Sequence, residues 1–152
     1  MNKKKFTINS PLDISLVLDY LFINNTNKPY LVLALEGDLG VGKTTFVKHL
    51  GLFLGTKENI NSPTFNILKT YILPKTISGF KRLLHVDAYR LSNKKEIVPL
   101  KLKEAIIESG TISCLEWPNI LSDILPKDTI RLKIEIIPKT ETRKITIFIP
   151  EV

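Results

Sequence analysis

The eight residues Gly37-Asp38-Leu39-Gly40-Val41-Gly42-Lys43-Thr44 limit the fold more than any other stretch of the chain. Two glycines separated by four residues, then Lys and Thr, form the pattern of a phosphate-binding loop. Glycines there let the backbone turn tightly, so that its N–H groups converge on phosphate oxygens. Lys43 is then set to reach the β- and γ-phosphates of a nucleotide, and the Thr44 hydroxyl to ligate Mg2+. Asp38, Leu39 and Val41 fill the loop. Thr45 begins the helix behind it, whose positive dipole end adds to the anion site. This geometry demands a strand before the loop and a helix after it. Tyr30-Leu31-Val32-Leu33-Ala34-Leu35 reads as a buried strand, and 45–54 as a helix closed by Gly55 at its C-terminal cap. A glycine-rich turn between strand and helix is the plainer reading, but it needs neither Lys43 nor Thr44.

The rest of the chain supplies the other layers. Ser10-Pro11-Leu12-Asp13 has the form of a capped helix start, with Ser10 as N-cap and Asp13 as the capping acid. Leu12, Leu16, Tyr20 and Ile23 continue it at helical spacing, and 24–27 close it in a polar turn. Residues 58–65 are a polar connection containing Ser62-Pro63-Thr64-Phe65. The stretches 66–73 and 81–86 read as strands joined by a turn over 74–79. Residues 95–109 are partly helical and broken at Pro99, and a strand over 111–115 follows Gly110. In the tail, Ile130, Leu132, Ile134 and Ile136 alternate with charged residues, and Ile145, Ile147 and Ile149 repeat the period of two. That predicts an antiparallel hairpin with one buried face. The whole predicts an α/β, P-loop NTPase-like three-layer sandwich. Its central sheet is mainly parallel, with antiparallel strands that include the C-terminal hairpin.

A nucleotide hydrolase also needs a carboxylate for Mg2+ and a group that orients the attacking water. In open α/β sheets such acids stand at the carboxyl ends of strands. Asp87 ends the strand 81–86 and Glu116 ends the strand 111–115. Either alone is as well explained as a polar residue closing a strand; two of them downstream of a phosphate loop favour function. Thr64 follows Pro63 in the connecting loop, and in nucleotide switches such a Thr closes on Mg2+ and the γ-phosphate. His85 shares a strand face with Asp87. It reads as a hydrogen-bonded strand histidine, with a metal pair as the alternative. His49 reads as a plain helix residue.

Composition narrows the class. At 152 residues one domain, 1–152, is expected, and a chain of this size buries roughly 70% of its unfolded surface. The single cysteine, Cys114, excludes an internal disulfide framework and fits a reducing compartment. It lies in the apolar run Ile112-Ser113-Cys114-Leu115 and reads as a small buried side chain. No run approaches the ~20 apolar residues of a membrane span. Asp13 and Asp19 interrupt the stretch after Lys3, Lys4 and Lys5, so no signal peptide is expected. These points predict a cytoplasmic protein with no membrane partner. The net charge of +7 permits an acidic partner such as RNA. The lysines are scattered, however, and read chiefly as a solvated surface.

Four pieces occur in order: Gly-Asp-Leu-Gly-x-Gly-Lys-Thr-Thr-Phe over 37–46, Ser62-Pro63-Thr64-Phe65, His85-x-Asp87-x-Tyr89-Arg90-Leu91, and Leu115-Glu116-Trp117-Pro118. Together they resemble the TsaE (YjeE) family, bacterial ATPases of tRNA threonylcarbamoyladenosine synthesis. The resemblance runs from about residue 10 to about residue 143. It implies ATP and Mg2+ as ligands. Lys43 and its neighbours correspond to the phosphate cradle, Thr44 and Glu116 to the Mg2+ ligands, and Asp87 to the acid essential for hydrolysis. Thr64 matches a switch-like loop, Trp117 the aromatic beside the metal acid, and Ser15 and Arg143 positions near the nucleotide. It also implies a partner, a TsaB–TsaD complex that transfers the threonylcarbamoyl group to the adenosine beside the anticodon. Direct contact with tRNA and the oligomeric state stay open. The family often carries an acid soon after the Trp-Pro pair, where this chain has Asn119, and residues 74–80 match no piece of the pattern.

Two other classes stay in view. A small-molecule kinase needs a lid with arginines that clamp phosphates, and this chain has only Arg82, Arg90, Arg131 and Arg143. A nucleotide-gated binding module, with incidental turnover, needs only the loop. A GTPase is disfavoured, because Asn27-Lys28 is followed by Pro29 and the base-recognition signature is missing.

Overall fold

The strand Tyr30–Glu36 (β2) is apolar on both faces, and its five inner residues are all buried. Only the middle of a sheet covered on both sides accommodates such a strand. A computed structural model of the chain, describing residues 1–25, 27–63 and 66–151, places it there. The other strands are β1 (Asn2–Ile8), β3 (Leu68–Ile77), β4 (Phe80–Asp87), β5 (Thr111–Glu116), β6 (Ile130–Ile136) and β7 (Arg143–Ile149). The helices are α1 (Ile14–Asn24), α2 (Lys43–Phe53) and α3 (Leu102–Ile106).

The seven strands form one sheet in the order β1-β7-β6-β2-β5-β4-β3. The four central strands β6, β2, β5 and β4 are mutually parallel. The two flanks are antiparallel: β3 on β4 at one edge, β7 and β1 beyond β6 at the other. Helices α1 and α2 cover one face, where Val17, Leu21, Phe46 and Leu50 pack on Leu33, Leu83, Ile112 and Leu132. On the other face α3 and short 3-10 turns bring Leu91, Ile97, Leu102 and Leu121 onto Val32, Val86 and Leu115. The three-layer architecture and the C-terminal hairpin are as expected.

Three local expectations change. The capped start at Ser10 is present, with the Asp13 carboxylate accepting from the Asn9 and Ser10 N–H groups. The stripe chosen for α1 is not its buried face, however. Leu12, Leu16 and Ile23 are exposed, and Ile14, Val17, Leu18, Leu21 and Phe22 are buried. The hairpin turn lies at Ser78-Gly79, and Pro74 sits inside β3. A proline is tolerated there because β3 is an edge strand and its register shifts between Ile72 and Ile77. Finally, β1 was not expected at all. It adds Asn2–Ile8 to β7 as the outermost strand.

The register does the positioning. Leu35 of β2, Glu116 of β5 and Asp87 of β4 stand opposite one another in one row. That row lies at the carboxyl ends of three adjacent parallel strands, where β2 runs into the loop 37–42. Alternation along β4 and β5 sends His85, Asp87 and Glu116 to the α2 face of the sheet, since Leu83, Ile112 and Cys114 of the same parity pack there.

Candidate functional site

The loop between β2 and α2 needs its glycines for two separate reasons. Gly40 and Gly42 have φ of +80° and +113°, in the left-handed region that side chains disfavour. At Gly37, where φ is +152°, space is limiting as well. A Cβ there would lie 2.6 Å from the Ile134 carbonyl oxygen and 2.7 Å from Val41 Cγ2. Lys43 starts α2 and is 5% exposed. Its ammonium donates to the Gly37 and Asp38 carbonyls and lies 3.8 Å from the centre of the Trp117 ring. Desolvation lowers the Lys43 pKa, against the opposing pull of Glu116, Asp87 and Asp38. Trp117 has φ +58°, strained for a bulky side chain, and its ring also packs on Tyr89.

Thr44 turns its hydroxyl onto Glu116, donating at 3.1 Å to Oε1 and 3.2 Å to Oε2. Glu116 is 3% exposed, and its Oε2 also lies 2.6 Å from His85 Nε2. Asp87 is held from two sides: Ser62 donates its hydroxyl proton to Oδ2 at 2.7 Å, and the Tyr89 N–H donates to Oδ1 at 3.0 Å. Lys43, Thr44, Ser62, Asp87, Glu116 and Trp117 line one cavity of about 430 Å³. Thr64 and Phe65 lie outside the described residues, but Pro63, Asn66 and Ile67 beside them line the same cavity. His85 serves Glu116 rather than pairing with Asp87. Cys114 is fully buried, and burial pushes its thiol pKa up, which fits a structural side chain.

A family model described as threonylcarbamoyl adenosine biosynthesis protein TsaE matches residues 19–145. The chain belongs to the TsaE family. Among its relatives, the tRNA threonylcarbamoyladenosine biosynthesis protein TsaE of Rickettsia bellii is 39% identical over 113 residues, 74% of each chain. The protein of the same name from Bacillus subtilis is 39% identical over 108 residues, 71% of this chain and 63% of that one. The crystal structure of Bacillus subtilis YdiB superposes with a TM-score of 0.72 at 27% identity, over 96% of this chain and 84% of that one.

The TsaE match spans the loop, Asp87, Glu116 and Arg143, but begins after Ser15. Arg143 lines a second cavity of about 330 Å³ on the other side of the loop, together with Ser10, Ile14, Gly40, Val41 and Thr45. It also donates from Nε to the Val41 carbonyl at 3.3 Å. Ser15 lines neither cavity. Its exposed hydroxyl donates to the Leu12 carbonyl at 2.9 Å, because one step along the helix turns it away from Ile14. Sequence reasoning missed three contributors here: Ser62 as the partner of Asp87, His85 as the partner of Glu116, and Ser10 in the second cavity. Each left a signal in the sequence, Ser62 in the Ser-Pro-Thr-Phe piece, His85 two residues before Asp87 and Ser10 in its capping pattern, but the group each one contacts depends on the fold.

The donor set fits a hard cation. Mg2+ takes one or two carboxylates and fills its other positions with phosphate oxygens and water. Among the described residues no three His, Cys, Asp or Glu side chains cluster to hold a metal alone. A hydroxyl and a carboxylate already in contact beside a phosphate loop are what a nucleotide-borne Mg2+ requires. Among the described residues no helix is long and apolar enough to cross a membrane.

Proposed function

We propose that this protein binds ATP with Mg2+ and hydrolyses it slowly, serving threonylcarbamoyl modification of the tRNA adenosine beside the anticodon. In this reading it acts in the cytoplasm with a TsaB–TsaD complex. The observation that carries the ATPase reading is the contact between Thr44 and Glu116 at the start of the loop helix, with Asp87 in register beside it. The pathway rests on the names of the TsaE relatives.

The residues divide the work. Gly37, Asp38, Leu39, Gly40, Val41 and Gly42 present the backbone to the phosphates, and Thr45 continues the helix beneath them. Lys43 leaves its two carbonyl partners for the β- and γ-phosphates, exchanging neutral acceptors for charged ones. Thr44 and Glu116 hold Mg2+, which neutralises charge on the phosphate oxygens. Asp87 orients the attacking water and takes its proton. Ser62 brings its loop to the same place through Asp87, and Thr64 takes the switch role that its motif implies. The second cavity, with the Arg143 cation at the same loop, suits the nucleoside. Ser15 has no part in this assignment.

The test has two stages. Asp87→Ala and Glu116→Ala should each depress ATP hydrolysis more than they depress nucleotide binding. Threonylcarbamoyl transfer to tRNA, reconstituted with the other components of the same organism, should lose multiple turnover when this protein is omitted or supplied as Asp87→Ala. Full transfer without it would overturn the pathway, and phosphorylation of a free metabolite would move the chain to the kinases.

A further inference from the structure

We infer that His85 is a positioning residue for the metal acid: its imidazole fixes the Glu116 carboxylate so that one oxygen stays free for Mg2+. The inference rests on the proposed role of Glu116 as a metal ligand.

His85 is fully buried in β4, and its Nε2 lies 2.6 Å from Glu116 Oε2. A carboxylate only accepts, so Nε2 carries the hydrogen. Among the described residues Nδ1 has no hydrogen-bond partner. The ring therefore has a single polar anchor, and that anchor is the metal acid. The Glu116 carboxylate has three donor contacts: two from the Thr44 hydroxyl and one from His85. The Thr44 hydroxyl can give a lone pair to the cation and still donate its hydrogen to the carboxylate, but it has one hydrogen for two nearly equidistant oxygens and does not choose between them. The His85 contact is made to Oε2 alone, from a ring on the same sheet face that ligates nothing in this assignment. It then becomes what keeps Glu116 from rotating about its terminal torsion, which is otherwise broad and roughly two-fold. By holding Oε2 it leaves Oε1 for the cation.

Backbone geometry makes the contact inflexible. His85 pairs with Cys114 across the β4–β5 ladder, so Glu116 is the diagonal neighbour on the same face. Both strands are paired on each side within the sheet, which holds the two backbones in register. Outer contacts of this kind typically alter metal affinity by about 10–100-fold.

The experiment measures Mn2+ binding to the ADP-loaded protein by electron paramagnetic resonance, with ADP affinity in chelator as the control. His85→Met removes the donor and should weaken Mn2+ binding by about tenfold or more, leaving metal-free ADP affinity unchanged. His85→Gln places an amide N–H near the Nε2 position and should recover most of the loss. A purely structural histidine would move both affinities together, or neither. Glu116→Gln is run beside them. If it leaves Mn2+ affinity intact, the metal assignment of Glu116 fails, and the role of His85 falls with it. If Glu116→Gln weakens Mn2+ but folded His85→Met does not, only the His85 inference is overturned. Should His85→Met not fold, nitrogen-labelled wild-type protein decides. The His85 Nε2–H signal should be protected from exchange both without ligand and with Mg2+ and ADP. Loss of that protection on loading overturns the inference.

Discussion

Lys43 carries a cation into a place almost closed to water, with two backbone carbonyls and an aromatic face as company. Desolvation therefore moves its pKa below the usual 10.5. The sign of the pH dependence follows. Below the lowered pKa the buried cation costs stability in full. Between it and 10.5 the unfolded chain binds more protons than the folded one, so this residue's penalty is relieved as pH rises. Nucleotide affinity runs the other way, because the phosphates need the cation. Calorimetric titrations of ATP with Mg2+ from about pH 7 to about pH 10 should therefore show affinity falling before an ordinary lysine titrates. Lys43→Met should weaken binding by ~1.5–3 kcal/mol at neutral pH, roughly ten- to a hundredfold. It should also remove the alkaline limb. Parallel pH curves for the two proteins would mean that Lys43 does not reach the phosphates.

Among the elements, the loop 37–42 is held by packing as well as by torsion, and the two can be separated. At Gly40 an added Cβ meets nothing within 4 Å, so Gly40→Ala carries only the strain of φ +80°, of order 1–3 kcal/mol. Gly37 also has a positive φ, +152°, and there the same change in addition drives a methyl into the Ile134 carbonyl of β6, so that the backbone itself must move. Gly37→Ala should cost a further ~1–3 kcal/mol of overpacking in urea unfolding. It should also weaken nucleotide binding, because the displaced loop no longer aims its N–H groups. Equal denaturation midpoints for the two variants would show that the close approach is not felt. The sequence made this element legible, since the glycines, Lys43 and Thr44 each answer to a ligand rather than to the core. Other elements hid themselves. In β1 the run Lys3-Lys4-Lys5 masks the alternation, and only Ile8 is buried. Around α1 the exposed Leu12, Leu16 and Ile23 fall at helical spacing just as the buried Ile14, Leu18 and Leu21 do, and only the pair Ser15 and Asp19 marks the outer side. Asp87 and Glu116 were legible as strand ends. The contact of His85 with Glu116 was not, because it depends on the register between β4 and β5.

At the scale of the whole molecule, the loop is a partition with a cavity on each side. Toward β4 and β5 lie Thr44, Asp87 and Glu116; toward β7 and the capped turn before α1 lie Ser10, Ile14 and Arg143. Strand order explains why one loop serves both. β2 stands between the two sides of the sheet, with β5 on its left and the β6–β7 hairpin on its right. A ligand spanning the partition should tie the two flanks together and raise overall stability. At a hundred times its dissociation constant the gain is about 2.7 kcal/mol, roughly 5–10 °C in Tm for a chain of this size. The division of labour is testable with a ligand that lacks the nucleoside. Thr44→Ala should weaken Mg2+-dependent binding of both ATP and inorganic tripolyphosphate, since each brings the same phosphates to the same hydroxyl. Arg143→Ala should weaken ATP and spare tripolyphosphate, since it empties only the β7 side. Arg143 also supports the loop through the Val41 carbonyl, which gives the competing outcome a definite form. If tripolyphosphate binding falls as far as ATP binding, Arg143 acts by holding the loop, and the nucleoside does not occupy the second cavity.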